Sequence, residues 1–358
     1  MAWAPTSAGK PRPIERPTEG MALIRASIVG ATGYTGAILT DILSEHPDVR
    51  MHALTSKSYA GRRVGEVFPD LRVDGAYVEY SLGAVAGSDV AFVCYPHGEA
   101  HEVVAELVEM GCRVVDLSAD YRLKDPSAYQ SWYGFVHPRV DLLREAVFGL
   151  PERYRAEVAK ARVVANPGCY PTTMLLSLLP VAGEIESSVI VDAKSGVSGA
   201  GRTPSPKTHF CEVTGDFRAY SEVGHRHIAE MVQELGVAAG RPVAVSFTPH
   251  LLPVDRGIFS TAYFWPAEGL VGTDRQIAKY REFYAGETFV EVCDHVPGLG
   301  EVVGTNYCRL TVREDADAGL VKVFAVIDNL MKGASGQAVQ NMNCMFGVAE
   351  DAGLRRKV

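Results

Sequence analysis

The sequence predicts an α/β protein, with a Rossmann-type doubly wound parallel sheet joined to an α+β domain that contains a mixed sheet. Strands alternate with helices in the first half of the chain, a glycine-rich turn follows the first strand, and strands predominate after about residue 188. The 358 residues exceed the usual size of one hydrophobic core, which favours about two domains.

The first half of the chain alternates between apolar strands and amphipathic helices. Residues 24–30 are a short apolar run that ends in glycine, and residues 34–46 carry apolar side chains at helical spacing. The elements expected after this pair are strands at 49–54, 89–94, 113–117 and 162–165 and a helix at 99–110. This order is typical of parallel strands linked by helices.

The second half is richer in strands. The expected strands are 188–192, 242–248, 258–265, 289–293, 307–312 and 321–327, followed by a helix at 333–346. We therefore expect a disordered, proline-rich tail at 1–20, one domain at 21–168, a second at 169–330, and a C-terminal helix within 331–358 that returns to the first domain.

Composition excludes several function classes. The formal net charge is -8 and no block of Lys and Arg is present, which argues against a nucleic-acid partner. No apolar run approaches the roughly 20 residues that span a bilayer, and the first twenty residues lack the apolar core of a signal peptide. The seven cysteines are scattered without a CxxC pair, so we expect neither disulfides nor structural zinc, and a cytoplasmic location.

A glycine-rich turn lies between the first strand and the first helix. Its spacing, GxxGxxG, is a variant of the dinucleotide-binding pattern, and its place after an apolar strand lets backbone N–H groups and the helix dipole hold a pyrophosphate. Ordinary tight turns also use glycine, so position rather than composition favours cofactor binding. The candidate cofactor-binding residues here are Gly30, Thr32, Gly33, Tyr34, Thr35 and Gly36.

The end of the second strand indicates which cofactor binds. A carboxylate at this place would bind the free ribose hydroxyl of NAD and repel a 2'-phosphate. The chain instead has Ser56 and Lys57, with Arg62 nearby, and these groups can hydrogen-bond and neutralise a phosphate. NADP is therefore the expected cofactor, the alternative being an ordinary polar surface loop.

Cys169 has the most reactive setting of the seven cysteines. It follows a short apolar strand and begins a helical run, and Pro167 and Pro171 flank it. Unpaired N–H groups and the positive end of the helix dipole stabilise a thiolate, so we expect a lowered thiol pKa. Cys94, Cys112, Cys308 and Cys344 lie in or beside apolar segments and are expected to be structural.

Two of the ten histidines, His225 and His227, flank Arg226 at the start of a helix expected to run to about Leu235. Histidine supplies a proton donor and acceptor near neutral pH, and Arg226 offers a planar fork for a carboxylate or phosphate. A metal site would need a further ligand such as His209 or Glu222, and no known ligand spacing is present, so no metal is expected. Ordinary helix-lining histidines are the remaining alternative.

Five motifs, in this order, carry a resemblance to a known family: GATGYTG at 30–36, NPGCYPT at 166–172, KSGVSGAGR at 194–202, GHRH at 224–227 and DNLMKGA at 328–334. Together they resemble the N-acetyl-gamma-glutamyl-phosphate reductases, which are related to the aspartate-semialdehyde dehydrogenases. The resemblance covers the chain from about residue 23 onward. It implies a cofactor domain at 21–168 and a catalytic, oligomer-forming domain at 169–330.

The resemblance also implies roles for individual residues. Cys169 matches the family nucleophile, and of the two histidines we favour His227 for proton transfer and His225 for binding. Ser56 and Lys57 stand where the family holds the 2'-phosphate. Further cofactor contacts are expected from Ser195, Gly196 and Asn329. The candidate substrate-binding residues are Asn166, Arg202, Arg226 and Lys332.

The implied activity is the NADPH-dependent reduction of N-acetyl-L-glutamyl 5-phosphate to the 5-semialdehyde with release of inorganic phosphate, through a cysteine thioester, in arginine biosynthesis. A homodimer or homotetramer is the implied assembly. Two alternatives stay open. The same chemistry could act on aspartyl phosphate or an aminoadipyl phosphate analogue, or the chain could be a non-catalytic, NADP-binding redox sensor with a dispensable Cys169.

Overall fold

The computed structural model of the chain describes residues 22–355 and contains two sheets. The tail expected at 1–20 lies outside the described residues. The first sheet has six strands, all parallel, in the order β2-β1-β3-β4-β6-β5. Its strands are β1 Ile24–Val29, β2 Val49–Leu54, β3 Val90–Val93, β4 Arg113–Asp116, β5 Val147–Phe148 and β6 Val163–Ala165.

Helices cover both faces of this sheet, because its strands are apolar on both sides. The helices of this part are α1 Tyr34–Ser44, α2 Val64–Val67, α3 Leu82–Val85, α4 His101–Glu109, α5 Ala128–Tyr133, α6 Val140–Glu145 and α7 Pro151–Lys160. The predicted doubly wound parallel sheet is therefore confirmed. The short β5 and the helices α5, α6 and α7, which lie between β4 and β6, had not been predicted.

The second sheet is mixed and has seven strands in the order β11-β12-β13-β10-β7-β9-β8. Two of its strand pairs, β7/β9 and β11/β12, are parallel, and its other strand pairs are antiparallel. Its strands are β7 Ile185–Ser195, β8 Arg218–Ala219, β9 Ala244–Leu251, β10 Ile258–Pro266, β11 Val290–Val292, β12 Cys308–Asp315 and β13 Leu320–Ile327. This arrangement confirms the predicted mixed sheet.

Helices α8 Cys169–Leu178, α10 His227–Ala239 and α11 Thr273–Phe283 pack with the inner face of the second sheet into one apolar core. A short helix, α9 Phe210–Val213, lies in the loop between β7 and β8. Helix α10 extends beyond the expected end at Leu235 because Gly236 is tolerated inside it, and Gly240, with φ of 68°, terminates it in the left-handed conformation.

The C-terminal segment leaves the second sheet and packs on the first. One π-helical turn, Met331–Ser335, precedes α12 Gly336–Phe346, so the helix expected at 333–346 starts earlier and changes its winding. Side chains of α12 share a core with α1 and the first sheet. The chain therefore crosses between its two sheets twice, once before Cys169 and once after β13.

Candidate active site

Cys169 is the first residue of α8, four residues after the end of β6, with Gly168 as the helix N-cap. Burial raises the pKa of its thiol to about 11, although the backbone N–H groups of Tyr170 and Cys169 act in the opposite direction. The expected lowering of this pKa is therefore wrong for this structure, because two N–H donors do not offset the loss of hydration. Cys169 is a neutral thiol near pH 7.

Two glycines allow neighbouring groups to approach Cys169 closely. A Cβ added at Gly168 would lie 2.5 Å from Nε2 of His227, and one added at Gly333 would lie 2.7 Å from Cβ of Cys169. The imidazole of His227 and the π-helical turn therefore pack directly against the cysteine turn. A larger residue at Gly168 would displace the imidazole of His227, and one at Gly333 would require a backbone to move.

His225 and His227 form a pair at the start of α10. Nδ1 of His225 accepts a hydrogen bond from the backbone N–H of His227 at 3.2 Å, and the two ring centroids are 4.8 Å apart. Burial and the neighbouring Arg226 lower the pKa of His225 to about 4, and burial, His225 and Arg122 hold the pKa of His227 well below its usual range. Both imidazoles are therefore neutral near pH 7.

A buried ion pair braces the turn that carries Cys169. Arg122 Nη1 lies 2.9 Å from Glu230 Oε1, and both side chains are almost completely buried. Arg122 Nε donates to the carbonyl of Asn166 at 2.7 Å, and Glu230 Oε2 accepts from the N–H of Gly168 at 3.0 Å. Sequence reasoning missed this pair, although Arg122 follows the carboxyl end of a parallel strand, where ligand-binding residues gather.

Cys169 opens into a cavity of about 1500 Å³ between the two sheets. Five of the predicted site residues line this cavity together, namely Ser195, Gly196, His225, Arg226 and His227. The segment between β7 and β8 supplies much of the remaining wall, including Lys207, and Arg218 of β8 also lines the cavity. His97 and Tyr133 from the first domain also line this cavity and had not been predicted.

The glycine-rich turn has the geometry of a dinucleotide cradle. Gly30 has φ of 84°, and a Cβ at Gly36 would lie 2.6 Å from the backbone of Ala31. No atom stands within 4 Å of a Cβ built at Gly33, which is the N-cap of α1 and has no capping side chain. The uncapped helix start faces open space, which fits a bound pyrophosphate.

The groups beside this turn differ from expectation. Ser56 Oγ bonds to Thr32 Oγ1 at 3.0 Å, whereas the exposed Lys57 lies 3.5 Å from Glu99 and above the ring of Tyr95. Arg202, expected at the substrate, instead donates to the carbonyl of Thr32 at 2.9 Å. Its loop follows β7 and reaches across to the first domain, so Arg202 lies at the cofactor turn.

Arg202 also lines a second, smaller cavity that contains Tyr34. Its guanidinium lies 4.3 Å above the ring of Phe68 and 5.8 Å above that of Tyr59. The backbone carbonyl of Thr35 accepts a hydrogen bond from the hydroxyl of Ser335. The π-helical turn therefore contacts the start of α1 as well as Cys169.

Three predicted residues make internal contacts rather than facing the Cys169 cavity. Asn166 is buried and bonds to the carbonyl of Ala334 and to Asn341, and Lys332 is completely buried against Glu152 at 2.5 Å. These two side chains are not available to a substrate, because their polar atoms are taken and solvent does not reach them. Asn329 is buried too. It accepts from the N–H of Gly257 at 2.7 Å and donates to Ser198 at 3.0 Å, and so holds the loop after β7.

Within residues 22–355, no group of three or more His, Cys, Asp or Glu side chains is arranged to hold a metal ion. All seven cysteines are free thiols. No helix in this part of the chain is long and apolar enough to span a membrane.

Comparisons with known proteins match both halves of the chain. The family model described as "Semialdehyde dehydrogenase, NAD binding domain" matches residues 25–161, and that described as "Semialdehyde dehydrogenase, dimerisation domain" matches residues 169–329. The N-acetyl-gamma-glutamyl-phosphate reductase of Desulforamulus reducens is 48% identical, with 93% of this chain and 98% of that protein covered. That of Symbiobacterium thermophilum is 47% identical, with 92% and 97% covered.

Solved structures show the same fold at low sequence identity. Aspartate semialdehyde dehydrogenase with NADP from Candida albicans superposes with a TM-score of 0.70 at 16% identity, over 92% of this chain and 100% of that one. Aspartate semialdehyde dehydrogenase II complexed with ASA from Vibrio cholerae gives a TM-score of 0.68 at 18% identity, over 91% and 99%.

Proposed function

We propose that Cys169 carries the acyl group as a thioester in this chain, which belongs to the N-acetyl-gamma-glutamyl-phosphate reductase family of semialdehyde dehydrogenases. The enzyme reduces N-acetyl-L-glutamyl 5-phosphate to N-acetyl-L-glutamate 5-semialdehyde with NADPH, a step of arginine biosynthesis. The observation that carries the mechanism is the close packing of the His227 imidazole against the Cys169 turn at the floor of a large cavity.

In the first half-reaction the sulfur of Cys169 attacks the 5-acyl carbon of the substrate. A C–S bond forms, the C–O bond to the phosphoryl group breaks, and inorganic phosphate leaves. His227 accepts the thiol proton during the attack. A base is required because burial keeps the pKa of Cys169 at about 11, and the neutral His227 can act as one.

In the second half-reaction the thioester carbon is reduced. When bound at the Gly30–Gly36 cradle, NADPH supplies the hydride. The backbone N–H groups at the start of α8 stabilise the oxyanion that develops at the thioester carbonyl. As the C–S bond breaks and the aldehyde leaves, His227 returns a proton to the sulfur, which restores the starting state.

The binding roles follow from position. His225 and Arg226 contact the substrate in the cavity, with Ser195 and Gly196 on the wall nearest the cofactor. We assign Ser56 and Arg202, which bond to Thr32 of the glycine-rich turn, to the 2'-phosphate. Lys57 and Arg62 are weaker contributors, because Glu99 and Glu66 already pair with them. Asn329 contributes by holding the loop that carries Ser198.

The domain assignment is part of the proposal. Residues 21–168 bind NADP, residues 169–330 form the catalytic and dimerisation domain, and the described part of the C-terminal segment assigned to 331–358 returns to the first domain. The two family-model matches and the packing of α12 on the first sheet support these boundaries. The free state of all seven cysteines supports a cytoplasmic location.

We assign homodimer formation to the outer face of the second sheet, with a homotetramer as the alternative. On this face Ile190, Phe259, Tyr263 and Phe324 are neighbours across β7, β10 and β13, and Ile190 is 41% exposed. Apolar side chains on an open sheet face favour association with a second copy. Sedimentation of Phe259→Asp should show a loss of the dimer, and an unchanged assembly would contradict this assignment.

The activity test supplies N-acetyl-glutamate semialdehyde, inorganic phosphate and NADP and follows the formation of NADPH. We expect phosphate-dependent turnover that is lost in Cys169→Ser and retained in Cys211→Ser, whose thiol is exposed. Turnover with aspartate semialdehyde instead would preserve the chemistry and contradict the substrate. Retained NADP binding without any turnover would support the redox-sensor alternative.

A further inference from the structure

Two side chains of the first domain reach the cavity that contains Cys169. His97 lies in the loop after β3, and Tyr133 is the last residue of α5. Their rings meet edge to face with centroids 5.8 Å apart. Neither residue belongs to a motif that identified the family, and the mechanism above gives neither a role.

The hydrogen bonds of His97 fix its tautomer. The backbone N–H of Ala119 donates to Nδ1 of His97 at 2.9 Å, so a neutral ring must carry its proton on Nε2. The side chain of His97 is exposed at the cavity wall, and partial desolvation by the surrounding protein, with Arg122 and Arg226, lowers its pKa below the usual range, so the ring is neutral at physiological pH. His97 therefore carries a fixed Nε2–H donor at the wall of the cavity.

Tyr133 presents a second donor with no protein partner. Within the described residues its hydroxyl is buried and makes no hydrogen bond. An unpaired buried hydroxyl destabilises a folded protein, so a ligand that pairs it has a clear energetic advantage. Burial raises the pKa of Tyr133, and the hydroxyl keeps its proton and can donate it.

The charges around these donors favour an anionic ligand. The guanidinium of Arg226 lies 5.9 Å from the centroid of the Tyr133 ring, and Arg122 is close enough to act on both His97 and Tyr133. Two carboxylates, Glu230 and Asp120, also act on Tyr133, and both are already engaged. Glu230 pairs with Arg122 and accepts from the N–H of Gly168, and Asp120 accepts from the N–H groups of Gly98, Ala100 and His101. Neutral donors beside positive charge bind an anionic oxygen strongly.

We propose that His97 Nε2–H and the Tyr133 hydroxyl donate hydrogen bonds to an anionic oxygen of the acyl phosphate substrate, an inference that rests on the proposed function. The substrate offers two such sources, its phosphoryl group and its α-carboxylate. The reverse reaction separates them, because inorganic phosphate and N-acetyl-glutamate semialdehyde are then different molecules with separate KM values.

A matched pair of variants isolates the Nε2 donor. The amide of His97→Asn stands near Nδ1 and can still accept from Ala119, but supplies no donor at Nε2. The amide of His97→Gln can place its NH2 near the Nε2 position. We expect His97→Asn to raise one of the two KM values by about 10- to 100-fold, the loss of one hydrogen bond to a charged group, and His97→Gln to recover most of that loss.

Tyr133→Phe tests the second donor without a folding penalty. Since the hydroxyl has no protein partner, its removal should leave the midpoint of thermal unfolding unchanged or raised. The same KM should rise as in His97→Asn. A rise in the KM for phosphate assigns the phosphoryl oxygen, and a rise in the KM for the semialdehyde assigns the carboxylate.

Unchanged KM values for both substrates in His97→Asn and in Tyr133→Phe, with wild-type turnover intact, would overturn this inference and leave the proposed function standing. Absence of turnover in the wild-type enzyme would instead overturn the proposed function. A lower kcat with unchanged KM values in all three variants would also count against the inference, since it indicates a disturbed cavity rather than a lost contact.

Discussion

Two buried ion pairs of similar chemistry have different roles in this molecule. Arg122–Glu230 contacts the backbone of the Cys169 turn at Asn166 and Gly168, whereas Lys332–Glu152 joins the π-helical turn to α7. Both pairs are almost completely removed from solvent. The motif that contains Lys332 predicted a substrate contact, whereas Arg122 belongs to none of the motifs that carried the resemblance. The role of a buried charge thus depends on the elements that pack around it, and a local sequence motif does not predict that packing.

The Lys332 pair belongs to a network that attaches the C-terminal helix. Lys332 Nζ also lies 2.7 Å from Oε1 of Gln340 on α12, and Gln340 Nε2 donates to Glu350 at 2.7 Å. Arg155 on α7 in turn bonds to Glu350. Every partner in this chain of contacts joins α7 to the C-terminal segment, so its loss should affect folding more than catalysis.

The largest expected effect comes from Lys332→Met, which leaves the Glu152 carboxylate buried without its partner. Removing one member of a buried pair costs about 3–5 kcal/mol. We expect urea unfolding to show a loss of that size, while kcat of the protein that remains folded stays within about twofold of wild type. A large fall in kcat at unchanged stability would mean that Lys332 acts at the active site.

The double variant Lys332→Met, Glu152→Gln is the control for this prediction. It removes both charges and so should recover much of the lost stability. If the double variant is no more stable than the single one, the cost comes from packing rather than from an unpaired charge.

The second prediction concerns Glu230→Gln. The amide can still accept from the N–H of Gly168, but Arg122 loses its countercharge, and we expect a loss of about 1–3 kcal/mol in the free energy of unfolding. Because the pair braces the Cys169 turn, kcat should also fall by about 10- to 100-fold, the usual consequence of a small displacement of a nucleophile.

Glu234→Gln is the matched control, one helical turn further along α10. Glu234 is buried and accepts a hydrogen bond from Tyr154 at 2.6 Å, away from the Cys169 turn. We expect it to lower stability and leave kcat unchanged. Equal falls in kcat for the two variants would mean that the loss does not depend on the contact of the Arg122–Glu230 pair with the Cys169 turn.

The sequence predicted most of the first sheet and the central parts of the second, because their strands are apolar runs between clear turn signals. It did not predict β5 or the helices α5, α6 and α7, where aromatic residues, Pro138 and polar surface residues obscure any periodicity. It also missed the π-helical winding at Met331–Ser335, which depends on the approach of Gly333 to Cys169 rather than on local propensity.

The site was predictable where one local segment holds the chemistry. The Gly30–Gly36 turn, Cys169 and the two histidines each belong to a short motif and were found. Residues that reach the cavity from distant segments, such as His97, Tyr133 and Arg122, were not, because their roles arise from packing between the two sheets. The pKa of Cys169 was misjudged for the same reason, since its burial depends on both domains.

The third prediction tests the contact between the π-helical turn and the turn that carries Cys169. The methyl group of Gly333→Ala would meet Cβ of Cys169 at 2.7 Å, so one backbone must move. Overpacking of this kind costs about 1–3 kcal/mol, and we expect kcat to fall by at least about tenfold. Gly65→Ala in α2, where no atom lies within 4 Å of the new methyl group, is the control. It should leave kcat unchanged and should not lower stability, since Ala in a helix stabilises by up to about 1 kcal/mol relative to Gly.

A dependence of stability on pH is also expected, and it arises at His225. His225, whose pKa in the folded protein is about 4, takes up its proton near pH 6.5 when the chain unfolds. Its contribution to stability is therefore fully present above about pH 6.5 and is lost as pH falls toward 4. Between these values one such group adds a slope of up to about 1.4 kcal/mol per pH unit to the free energy of unfolding.

His225→Asn should flatten that slope by up to this amount, because the amide does not titrate. Urea unfolding at pH 5, 6 and 7 measures it, and the difference between wild type and variant should be constant above pH 7, where the imidazole is neutral in both states. An unchanged slope between pH 5 and 6.5 would mean that His225 takes up its proton at the same pH in the folded protein as in the unfolded chain. The folded protein would then gain a positive charge beside Arg226 as the pH falls below about 6.5, and the cavity would attract the substrate anion more strongly in mildly acidic solution.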